Sequence, residues 1–278
     1  MKKYLVLLVL FLTACGASTA TQQSKLYDLA TLGDAQMRAG DYHGAIRTIT
    51  KIAASFESPV LYLNRGIAYS NLGHFGLAIA DFDKAISMDP KSDSAYFNRG
   101  ITRLRNDLAW EAAADFDKAI SFNDTNEDYY INRAEAHARL GEIEKELKDH
   151  DNLIRLAPND FKRYSNRAGI YSRMQDYRSA IADLDHAIQI APNQAILYYN
   201  RALAELKAHH YQNAIDDFSL YISFVGNNGW PYYQRGLAKV QLGLTKEAIA
   251  DFDKAISLDP KIYDAFVQRA NARRKLAR

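Results

Sequence analysis

The chain has 278 residues, 48% hydrophobic and 24% charged, a balance suited to a folded protein with a sizeable core. Only 6 Pro and 14 Gly argue against a turn-rich all-β design, and one cysteine excludes an internal disulfide and any paired-cysteine metal or redox site. The formal charge is +2, and it vanishes when Lys2 and Lys3 are left out, so no nucleic-acid partner is expected.

Met1-Lys2-Lys3 is a short positive start, followed by an unbroken apolar run from Tyr4 to Leu12. As a helix this run spans roughly 14 Å, about half of a hydrocarbon core, which is too short for a membrane span and suited to a signal-peptide core. Leu12-Thr13-Ala14-Cys15-Gly16 comes next and resembles the bacterial lipobox. The resemblance implies removal of residues 1–14 and lipidation of Cys15 with several acyl chains, palmitate among them. Each buried CH₂ contributes ~0.8 kcal/mol, so several chains anchor stably. Gly16 stands where an acidic residue would imply inner-membrane retention. The outer membrane is therefore expected, with the mature chain facing the periplasm. Residues 15–25 are expected to hold the lipidated cysteine and a flexible tether, since Ala17 to Ser24 is small and polar.

From Pro59 a 34-residue period runs without a gap. Its clearest marker is Asn64-Arg65-Gly66, Asn98-Arg99-Gly100, Asn132-Arg133-Ala134, Asn166-Arg167-Ala168 and Asn200-Arg201-Ala202, continuing as Gln234-Arg235-Gly236 and Gln268-Arg269-Ala270. Each unit holds two apolar-periodic stretches around a polar break such as Leu72-Gly73-His74, and so reads as two helices and a turn. Asp89-Pro90 stops a second helix, because proline lacks a donor and disfavours helix in the residue before it. Small residues (Gly66, Ala78, Ala85) let the two helices approach, with Phe82 and Tyr69 filling the space beside them.

This pattern resembles the tetratricopeptide repeat (TPR). The resemblance implies an all-α fold of the α-α superhelix class, a TPR solenoid. The units fall at 26–58, 59–92, 93–126, 127–160, 161–194, 195–228 and 229–262, with a solubilising cap helix at 263–278 whose Phe266 and Ala270 keep the inward face. A lone hairpin cannot bury its apolar side, so stacked neighbours supply the stability.

The units disagree in places. Glu146 stands where the others have Ala78, Ala112, Ala180, Ala214 and Ala248. A charge at a close helix contact is costly, so a splayed hairpin with Glu146 solvated is the first expectation, and a hinge or partner contact the second. Gly226-Asn227-Asn228-Gly229 replaces the Asp-Pro stop and precedes Trp230, read either as a packing residue or as one facing a ligand.

Phosphate-loop, dinucleotide, nucleophile-elbow and zincin motifs are missing from the sequence. Acidic pairs such as Asp81/Asp83 point to nearly opposite sides of a helix and cannot share a substrate. Asp81, Asp115, Asp149, Asp183, Asp217 and Asp251 are instead expected to neutralise the repeated arginines. No enzyme activity, metal or cofactor is expected.

In the TPR family the first helices line a groove, and the asparagine of the marker often faces it. That implies a binding site built on Asn64, Asn98, Asn132, Asn166 and Asn200, with Phe97, Tyr199, Trp230 and Tyr233 as apolar contacts. Leu63 and Leu104 belong to the same expected surface. A ladder of amides suits an extended peptide backbone, and equally suits bonds within the scaffold. The expected function is a lipid-anchored scaffold for a protein or peptide partner, as in secretin assembly or the organisation of peptidoglycan enzymes. The alternative is a periplasmic enzyme or glycan-binding protein directed at the cell wall.

Overall fold

The computed structural model describes residues 20–277; the expected signal segment and Cys15 lie outside them. Among the described residues there are fifteen helices and no strand. In chain order they are α1 (Ala20–Ala39), α2 (Tyr42–Ala53), α3 (Pro59–Asn71), α4 (Phe75–Met88) and α5 (Asp93–Arg105). Then come α6 (Ala109–Phe122), α7 (Glu127–Leu140), α8 (Ile143–Leu156), α9 (Phe161–Arg173) and α10 (Tyr177–Ile190). The last five are α11 (Ala195–Lys207), α12 (Tyr211–Val225), α13 (Gly229–Gln241), α14 (Thr245–Leu258) and α15 (Tyr263–Leu276). The chain divides within α8 into two compact units, residues up to Asp149 and residues from His150.

Local chemistry accounts for the helix ends. Ser92, Asp41, Asp160 and Asp176 cap helix starts by accepting bonds from backbone N–H groups within the first turn. Gly73, Gly141 and Gly243 take positive φ at the turn between paired helices, a conformation that costs glycine least. Asp107, Gln175 and His209 hold the equivalent turn with positive φ despite their side chains.

Within a hairpin, one ring fills the gap beneath the marker. Phe82, Phe116, Phe218 and Phe252 are fully buried, and Leu184 takes that place in the hairpin of α9 and α10. The partner position must be small. A Cβ added at Gly66, Gly100 or Gly236 would fall 2.7, 2.6 and 2.6 Å from Cε1 of Phe82, Phe116 and Phe252.

The repeated arginines are the second feature of the hairpins. Arg65, Arg99, Arg133, Arg167, Arg201 and Arg235 each bond the aspartate sixteen residues on, as expected, at 2.5–3.2 Å. A second bond reaches back to the preceding hairpin. In the first unit Arg99 meets Asp83 and Arg133 meets Asp117; in the second, Arg167 meets Asp151, Arg201 meets Asp185 and Arg269 meets Asp253, all at 2.5–2.7 Å. Arg235 uses Ser219 Oγ instead, at 2.8 Å. The two aspartates of each pair thus serve two different arginines. Hydrogen bonding to Asp183 holds Arg167 above its usual pKa against the cost of burial. Burial pushes Asp149 above the usual carboxylate range, although Arg133 bonds to it. Most of the arginines also lie over an aromatic ring three residues earlier, as Arg99 does over Tyr96 at 5.4 Å.

Three expectations need correction. Residues 20–25 belong to α1 and not to a tether: Thr-Gln-Gln-Ser-Lys contains no glycine or proline to stop a helix, and the turns that follow extend backwards through it. Glu146 is neither solvated nor in a splayed hairpin. It is buried and engaged in a polar interaction, while Arg133 on α7 closes onto Asp149 on α8 as in the other hairpins. In α15 the inward face is Ala265 and Ala272, whereas Phe266 and Ala270 are exposed. In fuller hairpins those two register positions are covered by the paired second helix. Among the described residues no second helix covers α15.

Candidate functional site

Most of the expected site residues fall at a few register positions of the first helix of each hairpin, here called its stripe. The position just before the marker asparagine holds Leu63, Phe97, Ile131, Ser165, Tyr199 and Tyr233. The position three after that asparagine holds Ile67, Ile101, Glu135, Gly169, Leu203 and Leu237. The structure sorts the expected site residues along this stripe into three kinds.

Some are core. Tyr233 is 8% exposed and packs on Phe252, with its hydroxyl pKa raised by burial and by nearby Asp264. Leu63 and Leu104 are buried too, so these three are not free groove contacts as expected. Asn64 is likewise buried, at 7% exposed, and its Nδ2 has no hydrogen-bond partner among the described residues. Tyr233, Leu63 and Leu104 each belong to a buried cluster that includes residues of adjoining helices, which a one-dimensional register does not reveal.

Others bond within their own helix. Asn98 Nδ2 donates to the Ser94 carbonyl at 2.7 Å, and Asn132 Nδ2 to the Asp128 carbonyl at 2.8 Å. Each amide keeps its second N–H and its oxygen for other partners. Phe97 is half-buried between the rings of Phe116 and Tyr129, at 5.9 and 4.6 Å.

The remainder face outward. Asn166 is exposed, and Asn200 and Tyr199 are half-buried. The Tyr199 ring packs against Phe218 and Tyr221 at 5.8 and 5.0 Å. Trp230 is 44% exposed, with one edge against Tyr233 at 5.7 Å. It is thus partly packed and partly displayed.

Sequence reading missed a cavity in the second unit. It lies between α9 and α11 over α10, an open-sided hollow of about 380 Å³. Ser165, Gly169 and Ser172 of α9 form one wall, and Asn200, Leu203 and Lys207 of α11 the other. The floor includes Tyr177 and Leu184 of α10. The signal was present in the register: α9 alone places serine, glycine and serine where most other first helices carry bulky apolar residues. His209 and His210, in the turn after α11, are exposed, and His210 Nδ1 lies 2.6 Å from the buried Glu205 carboxylate. Among the described residues no three His, Cys, Asp or Glu side chains are grouped as metal ligands would be.

Models of the tetratricopeptide repeat match residues 59–92, 161–194 and 231–262. No curated protein matches the chain in sequence. Among solved structures, the chain is similar to the C-terminal part of a TPR repeat-containing protein from Cytophaga hutchinsonii, at 18% identity over 85% of this chain and 97% of that one, with a TM-score of 0.73. It is also similar to YrrB, described as a TPR protein with an unusual peptide-binding site, at 15% identity over 68% of this chain and 97% of that one (TM-score 0.58). A tetratricopeptide repeat protein from Parabacteroides merdae covers 90% of this chain with 99% of its own length, at 17% identity and a TM-score of 0.57. At these identities the likeness is one of fold.

Proposed function

Because the chain belongs to the tetratricopeptide-repeat family, we propose that it is a non-enzymatic scaffold holding an extended peptide or protein partner against its first-helix stripe. The repeat fold supports a protein-interaction role. The observation that carries the finer reading is the outward set on α11, where Tyr199, Asn200 and Leu203 stay partly uncovered beside an open cavity. An apolar surface next to amides that offer both donor and acceptor suits a peptide backbone with side chains between its hydrogen bonds. YrrB, whose described property is a peptide-binding site, supports the same reading by likeness of fold.

The same proposal places a lipid on Cys15, the bacterial outer membrane as the anchor and the periplasm as the working compartment. Its support is the lipobox resemblance at Leu12 to Gly16. No helix among the described residues is long and apolar enough to cross a membrane. Secretin assembly and the organisation of peptidoglycan enzymes are settings in which such a scaffold would serve.

The test is photocrosslinking in the native cell, with a photoreactive residue at Tyr199 and, as control, at Trp110, which is 70% exposed on the second helix α6. The expected result is a discrete protein adduct from Tyr199 and none from Trp110. Adducts from Trp110 alone would move the binding surface to the second helices.

A further inference from the structure

The cavity over α10 differs from the rest of the stripe because it is a space within the repeat pattern. At the three register positions that face it, Ser165 stands in line with Phe97 and Tyr199, Gly169 with Ile101 and Leu203, and Ser172 with Leu104 and Leu206. The first two exchanges remove most of a bulky side chain; the third is smaller and matches Ser70 and Ala138 of other repeats, but only on α9 do all three small residues coincide. A Cβ built at Gly169 meets nothing within 4 Å, and the backbone there is ordinary right-handed helix, so conformation does not require the glycine. Glycine in mid-helix is unfavourable relative to alanine, which makes an open cavity the main thing it provides.

We propose that this cavity is a specificity pocket that takes one bulky apolar side chain of the bound peptide, next to an acidic residue of the same peptide. This rests on the scaffold reading and adds to it the chemistry of the partner. Hydrocarbon from Ala168, Leu184, Leu203 and Ala204, with the Tyr177 ring, gives the pocket an apolar interior. The hollow, about 380 Å³ and open on one side to solvent, leaves room for a large apolar side chain laid against its walls. Lys207 sits at the rim, exposed, with no acidic partner within salt-bridge distance among the described residues. An unpaired ammonium beside an apolar pocket favours a carboxylate close to the inserted side chain. Asn200, also on the rim, is placed to pair with the peptide backbone that joins them.

The experiment uses a displayed library of random short peptides, selected on the full array and titrated by fluorescence anisotropy. Selected peptides are expected to share one Phe, Tyr, Trp, Leu or Met within two residues of an Asp or Glu. Gly169→Leu and Ser165→Tyr fill the pocket with side chains that sister repeats already carry, and circular dichroism reports whether each variant remains folded. Either is expected to weaken the selected peptides by about ten-fold or more. Lys207→Glu is expected to weaken them several-fold and to reduce the salt dependence. Unchanged affinity in the filled variants, or selected peptides without the shared pair, overturns the pocket. In that case, weakening by Tyr199→Ala would leave the stripe as the binding surface. Affinity unchanged in the Tyr199 variant as well would overturn the scaffold reading itself.

Discussion

Asp83 of α4 accepts a hydrogen bond from Nη1 of Arg99 of α5 at 2.5 Å, across the joint between one hairpin and the next. The same guanidinium donates to Asp115 of its own hairpin at 2.6 Å. One side chain thereby sets both the closure of a hairpin and the register of its neighbour, and the arrangement recurs at the repeat period.

The two carboxylates differ in burial, so their removal should differ in cost. Asp115 is 3% exposed in its side chain and also accepts from Arg103 at 2.7 Å, whereas Asp83 is 54% exposed. Asp115→Asn should cost roughly 3 kcal/mol, because two guanidinium groups lose their main charge partner in a buried setting. Asp83→Asn should cost at most about 1 kcal/mol, as for an exposed ion pair. Urea unfolding followed by circular dichroism measures both; equal costs would mean that burial does not set the strength of these bonds.

Gly100→Ala and Gly169→Ala should move stability in opposite directions. Both gain up to about 1 kcal/mol of helix propensity. At Gly100 the new methyl meets the Phe116 ring at 2.6 Å, and repacking of a fully buried ring costs roughly 1–3 kcal/mol, so the sum is unfavourable. At Gly169 the space is open and the gain stands. Thermal melts of the two variants decide the point, and a destabilised Gly169→Ala would contradict the cavity.

Glu146→Ala should destabilise the array by roughly 1–3 kcal/mol. The alanines of the sister hairpins alone would suggest a gain, but Glu146 is buried and engaged, and alanine forfeits that interaction. A higher melting temperature in this variant would restore the view of Glu146 as a misfit.

Cys15→Ser should leave a helical array that no longer sediments with membranes. The thiol lies before the first described helix, and the lipobox resemblance is the sole ground for an anchor. Fractionation after a salt wash measures it; a variant that stays wholly in the membrane pellet would remove the lipid from the account.

Much of this protein was legible in one dimension because the information repeats. A 34-residue period, a small residue facing a ring, a proline stop and an arginine sixteen residues before an aspartate are all short-range relations. They therefore determined the hairpins and the Arg–Asp bonds before any coordinates. The second aspartate of each pair reads as merely architectural in sequence; its role appears once consecutive hairpins are stacked, because Asp83 and Arg99 belong to different ones. Burial along the stripe was decided by the tertiary structure alone. Tyr199 and Tyr233 occupy the same register, yet only Tyr233 is closed over, since exposure depends on what adjoining helices bring to each position. Glu146 and the terminal helix went against expectation for the same reason, one gaining a cover and the other lacking it. The cavity is the clearest case: three small residues on α9 are unremarkable in a line of sequence, and become a space only when α10 and α11 stand around them.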